Sequence, residues 1–363
     1  MKTIFRYKAL GFAALLAGTL ASCINDDEAA EPKSQDVKVS FVISGDKVVT
    51  RANTEAGSND LNENTVAALD MFVVKGNSFK HLAGPTYADA SSRQTWELSP
   101  EQLTRAEAEG ATVYLVANAN GQVKNATSLD GLKAALTATL TRPDQKQTTF
   151  VLDGKGTFRQ LADGTLSADV DLSRALAKVR IGFTGSNKPS LADVTFHFTN
   201  FAPQGTVLAE GTGTPAATVH YPAELVEANK YTAPTLTQTV GGTDKLVFYT
   251  YQNDWFDSSK NPALEEPIDP DKQSFILLNA PYKGTHYIYK IPLNMRLPEN
   301  NDVDITDMEQ IHDLYRLKRN CIYDITVDID QPGGTEDGNA VELPIKYKVI
   351  DWEGNVNNDI TIE

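Results

Sequence analysis

Short runs in which apolar and polar residues alternate recur along this 363-residue chain, and a period of two fits strands, not helices. Val37–Ile43, Leu69–Val74, Thr112–Ala117, Thr148–Leu152, Ala168–Leu172 and Lys178–Phe183 take this form, as do Asp193–Thr199, Lys245–Tyr251, Gln273–Leu278, His286–Leu293, Ile322–Ile329 and Leu343–Ile350. They are rich in Val, Ile, Thr, Tyr and Phe and are cut by Gly, Pro, Asn and Asp, the residues that turn a chain. Helical spacing survives in Ser99–Glu109, which opens on Ser-Pro, and in Leu129–Leu140. The length suits about two domains. The expected fold is therefore all-β, with two β-sandwich domains carrying small helical insertions. No stretch repeats at a fixed period, which argues against a solenoid or propeller. The junction is expected near Asp171–Arg174, giving an N-terminal domain over 52–173 and a C-terminal domain over 174–363.

With 41% hydrophobic residues the chain can bury packed cores. Lys and Arg number 33 against 48 Asp and Glu, a net charge of -15. Such a surface repels phosphate backbones and anionic membranes, so no nucleic-acid partner is expected. Two cysteines cannot make a disulfide scaffold, and the five histidines have no metal-ligand spacing. No metal, cofactor or enzymatic activity is expected.

The first 22 residues are expected to form a signal peptide. Lys2, Arg6 and Lys8 make a basic start, and Ala9–Ala21 is an uncharged run too short to span a bilayer. Leu20-Ala21-Ser22-Cys23 resembles a bacterial lipobox, which implies cleavage before Cys23 and a lipid on its thiol. Ile24-Asn25-Asp26-Asp27-Glu28 resembles the surface-export signals of Bacteroidales lipoproteins, and it also suits a solvated tether. With Cys23 acylated, Cys321 stands alone and reads as a small core residue.

Each end of the mature chain carries a strand that could detach. Within Asp36–Thr50, Val37, Val39, Phe41 and Ile43 are apolar at period two. The polar, small-residue stretch Arg51–Asp60 follows, and Arg51 is the only basic residue between Lys47 and Lys75. An exposed loop with one arginine suits an Arg-specific protease cutting between Arg51 and Ala52. At the other end, Val341, Leu343, Ile345, Tyr347 and Val349 alternate with polar residues and Pro344, which marks an edge strand. The Gly-rich Asp330–Ala340 precedes them, and Ile360 and Ile362 close the chain with one more short alternation.

Several segments, in order, resemble the fimbrillins, the FimA-type pilins of Bacteroidales type V pili. They are the lipobox at Cys23, Val48-Val49-Thr50-Arg51-Ala52, Leu69–Val74, Tyr114-Leu115-Val116-Ala117-Asn118 and Arg174-Ala175-Leu176-Ala177-Lys178-Val179. Tyr289–Leu293, Leu317–Ile325 and Asp351-Trp352 complete the order. The resemblance implies two transthyretin-like sandwiches, export to the cell surface as an outer-membrane lipoprotein, and cleavage after Arg51. The first strand, over 23–51 with its tether, then leaves a groove that a neighbouring pilin fills with a strand from 341–363. The implied partners are other copies, anchor and tip subunits, the protease and, through the lipid, the outer membrane. A cleavable arginine suits a shaft or tip subunit rather than an anchor. A surface-anchored glycan-binding lipoprotein is the rival reading; it would keep Asp36–Thr50 in place and turn the aromatic run Tyr249, Tyr251, Trp255 and Phe256 to solvent.

Other chemistry is weaker. His81, His197, His220, His286 and His312 are scattered and read as core or surface residues. Glu265–Asp271 and Asp302–Asp307 are acidic enough for Ca²⁺, but the second lacks the Gly and final Glu of an EF-hand, and both read as solvated loops. The aromatic run suits a glycan platform or, more simply, a strand packed into its own core.

Overall fold

The structure, a computed structural model, describes residues 37–43, 54–90, 92–223, 230–262, 265–294, 308–343 and 345–353. Twenty-one strands in these residues form four sheets. The first, of eight strands, runs β4 (Ser78–Ala83), β3 (Leu69–Lys75), β6 (Thr112–Ala117), β7 (Leu152–Thr157), β9 (Leu166–Arg174), β1 (Val37–Ile43) and β5 (Gln94–Leu98), with β8 (Arg159–Gln160) paired to β9. A six-stranded sheet runs β13 (Thr237–Val240), β14 (Thr243–Tyr251), β10 (Leu176–Thr184), β19 (Cys321–Asp328), β21 (Ile345–Glu353) and β2 (Thr54–Ala56). A five-stranded sheet runs β12 (Val219–Tyr221), β11 (Thr195–Phe201), β16 (Phe275–Tyr282), β17 (Thr285–Pro292) and β20 (Val341–Glu342), and β15 (Asn253–Asp254) pairs with β18 (Arg316–Leu317). The fold is all-β with few helices.

Alternation along the strands sorts side chains into three clusters. The first sheet encloses one core, lined by Val37, Val39, Phe41, Ile43, Met71, Leu115 and Val170. Ala177, Val179, Ile181 and Phe183 on one face of β10 enter a second core, between the six- and five-stranded sheets. A third cluster, with Leu61, Phe72, Phe150, Tyr249 and Trp352, joins residues of the first sheet to those of the six-stranded one.

Several expected elements differ. The helix expected over Ser99–Glu109 shrinks to α1 (Arg105–Ala108), because the capping box of Thr104 and Glu107 starts it there. The one expected over Leu129–Leu140 ends as α2 (Leu129–Lys133). Beyond it, Thr137 and Leu140 donate their backbone N–H to Gly205 and Pro203 instead of continuing the helix. The strand expected at Thr148–Leu152 begins where that run ends. Gly154 and Gly156 interrupt its pattern because β7 crosses β9 so closely that a Cβ at either would meet the carbonyl of Asp171 or Asp169 within 2.4 Å. The run Val341–Ile350 is divided between two sheets: β20 lies parallel to β17, and β21 antiparallel to β19. β2 covers β21 only at Asp351–Glu353, so Ile345–Ile350 pair on one side alone. Cys321 is a buried residue of β19, as expected.

Buried charges fasten residues 55–64 to the six-stranded sheet. Glu63 is fully buried and accepts from Lys178 Nζ at 2.7 Å, Tyr249 OH at 2.5 Å and the Ser58 amide at 2.6 Å. Arg174 donates to the carbonyls of Glu63 and Trp352 and to Asn64 Oδ1, and its guanidinium lies 4.5 Å from the Trp352 ring centre. Burial pulls Arg174 down to about 10, which leaves it charged at neutral pH. Arg180 bridges Glu55 and Asp324. Removing one member of a buried pair strands the other. Lys178→Met is expected to lower unfolding stability by about 3–5 kcal/mol in chemical denaturation. Lys80→Met, which breaks a part-exposed pair with Glu107, should lower it by less than about 1 kcal/mol.

Candidate functional site

β1 is an interior strand. It runs parallel to β9 over seven residue pairs, Val37 opposite Leu166 through Ile43 opposite Leu172, and antiparallel to β5 over five, Val37 opposite Leu98 through Phe41 opposite Gln94. Val37, Val39, Phe41 and Ile43 are at most 1% exposed. Phe41 meets the Tyr87 ring edge-on at 5.2 Å, and Val39 lies opposite Trp96 on β5. Burial pushes the Tyr87 phenol above its ordinary value. Ser40 and Thr95 share a hydroxyl contact at 3.3 Å across the β1–β5 ladder.

Without β1, β9 and β5 would face each other across a slot one strand wide, roughly 9–10 Å between backbones. The slot has an apolar floor and two rows of unpaired backbone groups, each open to a strand of one direction. It is chemically a receptor for another extended segment with apolar residues at period two.

The other sequence-derived positions fall elsewhere. Cys23, Arg51, Ala52, Ile360 and Ile362 lie outside the described residues. Leu343, Ile345 and Val349 are buried in the core between the five- and six-stranded sheets, Val341 is half-buried in β20, and Tyr347 is part of β21. They are thus held in the chain's own fold. Tyr249, Tyr251 and Trp255 are buried and Phe256 half-buried, so the aromatic run packs inward rather than facing solvent. His81 pairs with Asp70, His312 with Asp254, and His286 meets Asn279. Asp302–Asp307 lies outside the described residues; in the other acidic stretch Asp269 pairs with Lys272. The wall of the slot, Tyr87 and Trp96, was not foreseen: neither belongs to a run whose alternation stands out.

The family model of the major fimbrial subunit protein (FimA) matches residues 37–188, a span that opens on the first residue of β1. The major fimbrium tip subunit FimD of Porphyromonas gingivalis is 22% identical over 352 residues, 93% of this chain and 47% of its own. The chain therefore spans about half the length of the curated relatives it matches. Two solved structures share the fold, both of candidate cell adhesion proteins. One, from Parabacteroides distasonis, has a TM-score of 0.54 at 16% identity and covers 90% of this chain and 99% of its own. The other, from Bacteroides eggerthii, has a TM-score of 0.53 at 15% identity, with 88% and 97% covered. This chain is similar to FimA-type fimbrial subunits, and the matched segment contains β1 with its neighbours β5 and β9.

The slot has its own reporter. Of the three tryptophans, Trp96 lines the slot, while Trp255 and Trp352 are buried in the other clusters. Release of β1 is expected to red-shift tryptophan emission in the wild type. A Trp96→Phe variant, cut identically, should show no shift.

Proposed function

We propose that this chain is a structural subunit of a cell-surface fimbria, assembled by strand exchange at the β1 slot. The observation that carries the reading is β1 itself: a strand with four fully buried apolar side chains, joined to the rest of the chain through a segment with one arginine. The precursor travels as a lipoprotein acylated on Cys23 and sits on the outer membrane. An Arg-specific protease separates Arg51 from Ala52, β1 departs, and a strand of the next subunit takes its place. Two domains, 52–173 and 174–363, make up the processed subunit.

The energetics favour replacement over an empty slot. Four buried side chains at ~1.5–3 kcal/mol each amount to roughly 6–12 kcal/mol, comparable with the net stability of a domain. A donor strand restores this and pairs the orphaned backbone of β9 and β5. The contact is heterologous and does not close on itself, so it builds a filament with anchor and tip subunits at its ends.

The donor must come from a segment the subunit does not need for its own core. Extracting Ile345 and Val349 would open the core between the five- and six-stranded sheets. We therefore assign the donor to 354–363, with Ile360 and Ile362 as its apolar pair, ahead of the run Val341–Val349. Deletion of 354–363 is expected to leave the melting temperature unchanged and to abolish polymerisation. Leu343→Asp with Ile345→Asp is expected to unfold the subunit, and a folded double variant that fails to polymerise would move the donor to the earlier run.

Digestion of the 24–363 precursor with an Arg-specific protease tests the processing step. The expected product has Ala52 as its N-terminus and forms a ladder of oligomers in size-exclusion chromatography, while Arg51→Ala stays monomeric. An uncut monomer, or a cut at Arg51 that frees no strand, would contradict the reading.

A further inference from the structure

The five-stranded sheet carries a groove of 660 Å³ on the face turned away from its core. On β11, Phe196 and Phe198 point into the core, so His197 and Thr199 point outward; on β16, Ile276 and Leu278 are core residues, so Phe275 and Leu277 point outward. An outward sheet face is ordinarily polar and wet. Here His197 and Leu277 are only 3% and 5% exposed. Lys230-Tyr231 and the turn Asp337–Asn339 help to wall them, joined to each other because Tyr231 OH donates to Asp337 at 2.6 Å and Lys230 pairs with it at 2.8 Å.

The polar groups in this groove point to a ligand. His197 Nδ1 is buried without a hydrogen-bond partner, while the ring is bonded to the Lys230 backbone. Desolvation, with His220 stacked at 5.6 Å, lowers the His197 pKa and keeps the imidazole neutral. An imidazole nitrogen left unpaired in this way can accept a hydrogen bond from a hydroxyl or donate one to it, according to its tautomer. The charges are already matched, Lys290 to Glu342 at 3.0 Å and Lys230 to Asp337. A charged ligand would have to break one of these pairs, whereas hydroxyls can share them. Phe275 is half-buried with the Lys290 ammonium 5.0 Å from its ring centre, and it offers an apolar face beside the polar groups. The size falls within that of small-ligand sites, about 300–1,000 Å³. A cation is the poorer fit: among the described residues no three His, Cys, Asp or Glu side chains are grouped to hold one.

We propose that this groove binds a neutral saccharide, with His197 and the two matched ion pairs taking its hydroxyls and Phe275 its apolar face. The groove shares no residue with the β1 slot, so it adds recognition to a subunit whose assembly proceeds elsewhere. Either property can fail without the other.

Saturation-transfer NMR on the 24–363 chain tests this, with lactose, maltotriose, cellotriose and mannotriose as neutral probes and sialyllactose as the charged comparison. Transfer to at least one neutral sugar is expected. His220→Ala and Phe275→Ala should each weaken it by roughly tenfold or more, and Lys155→Ala, which lies outside the groove, should leave it unchanged. Because a groove variant could be misfolded, the wild-type imidazole ¹⁵N spectrum supplies a second reading: the His197 Nδ1 resonance should move as the sugar is added. Silence from every neutral sugar, a preference for sialyllactose, or transfer that survives both groove substitutions would overturn the proposal.

Discussion

The structure depends on one strand held from both sides. β1 completes the ladder between β9 and β5 and fills the floor of the first core, so its backbone and four side chains are satisfied together or not at all. An edge strand can fray residue by residue, but an interior one leaves a gap bounded by two open ladders. As long as β1 is covalently attached, its effective concentration at the slot is high. In the proposed assembly, cutting the tether would let β1 be lost on dilution and let a neighbour's strand compete for the slot.

The segment on the far side of the proposed cut behaves differently from β1, and that contrast organises the molecule. β2 is paired to β21, Glu55 is bridged to Arg180, and Glu63 is buried against Lys178 and Tyr249. Thus β1 belongs to one sheet and β2 to another, with residues 44–53 linking two strands that are each fixed. The proposed cut within that link would free β1 and leave the anchored side in place. The Arg174–Lys178 segment that resembles the fimbrillin junction has a physical reason as well: Arg174 and Lys178 join residues 63 and 64 to β10 and Trp352.

Much of this was legible in the sequence, for reasons particular to strands. β1, β3, β6 and β10 lie where alternation put them, because each has one face on a core. β7 was displaced in the reading because its glycines serve close backbone approach and carry no alternation. The slot's floor was visible in Val37, Val39, Phe41 and Ile43, but its walls were not, since Trp96 meets β1 through strand pairing and Tyr87 through a ring contact, both distant in sequence. The burial of Glu63, Arg174, Lys178 and Arg180 was equally hidden, because charged residues read as surface until their partners are known. The groove beside His197 needed residues of five strands, β11, β12, β16, β17 and β20, brought together with the turn at Asp337–Asn339.

The central claim is that β1 must leave its slot for assembly, and a reversible staple tests it most directly. Ser40 and Thr95 face each other across the β1–β5 ladder, where paired cysteines can be bridged. In Ser40→Cys with Thr95→Cys, oxidised and then cut at Arg51, the strand should stay in place and the protein remain monomeric until a reductant is added, when oligomers appear. Oligomers that form with the staple intact would show that assembly does not require the slot.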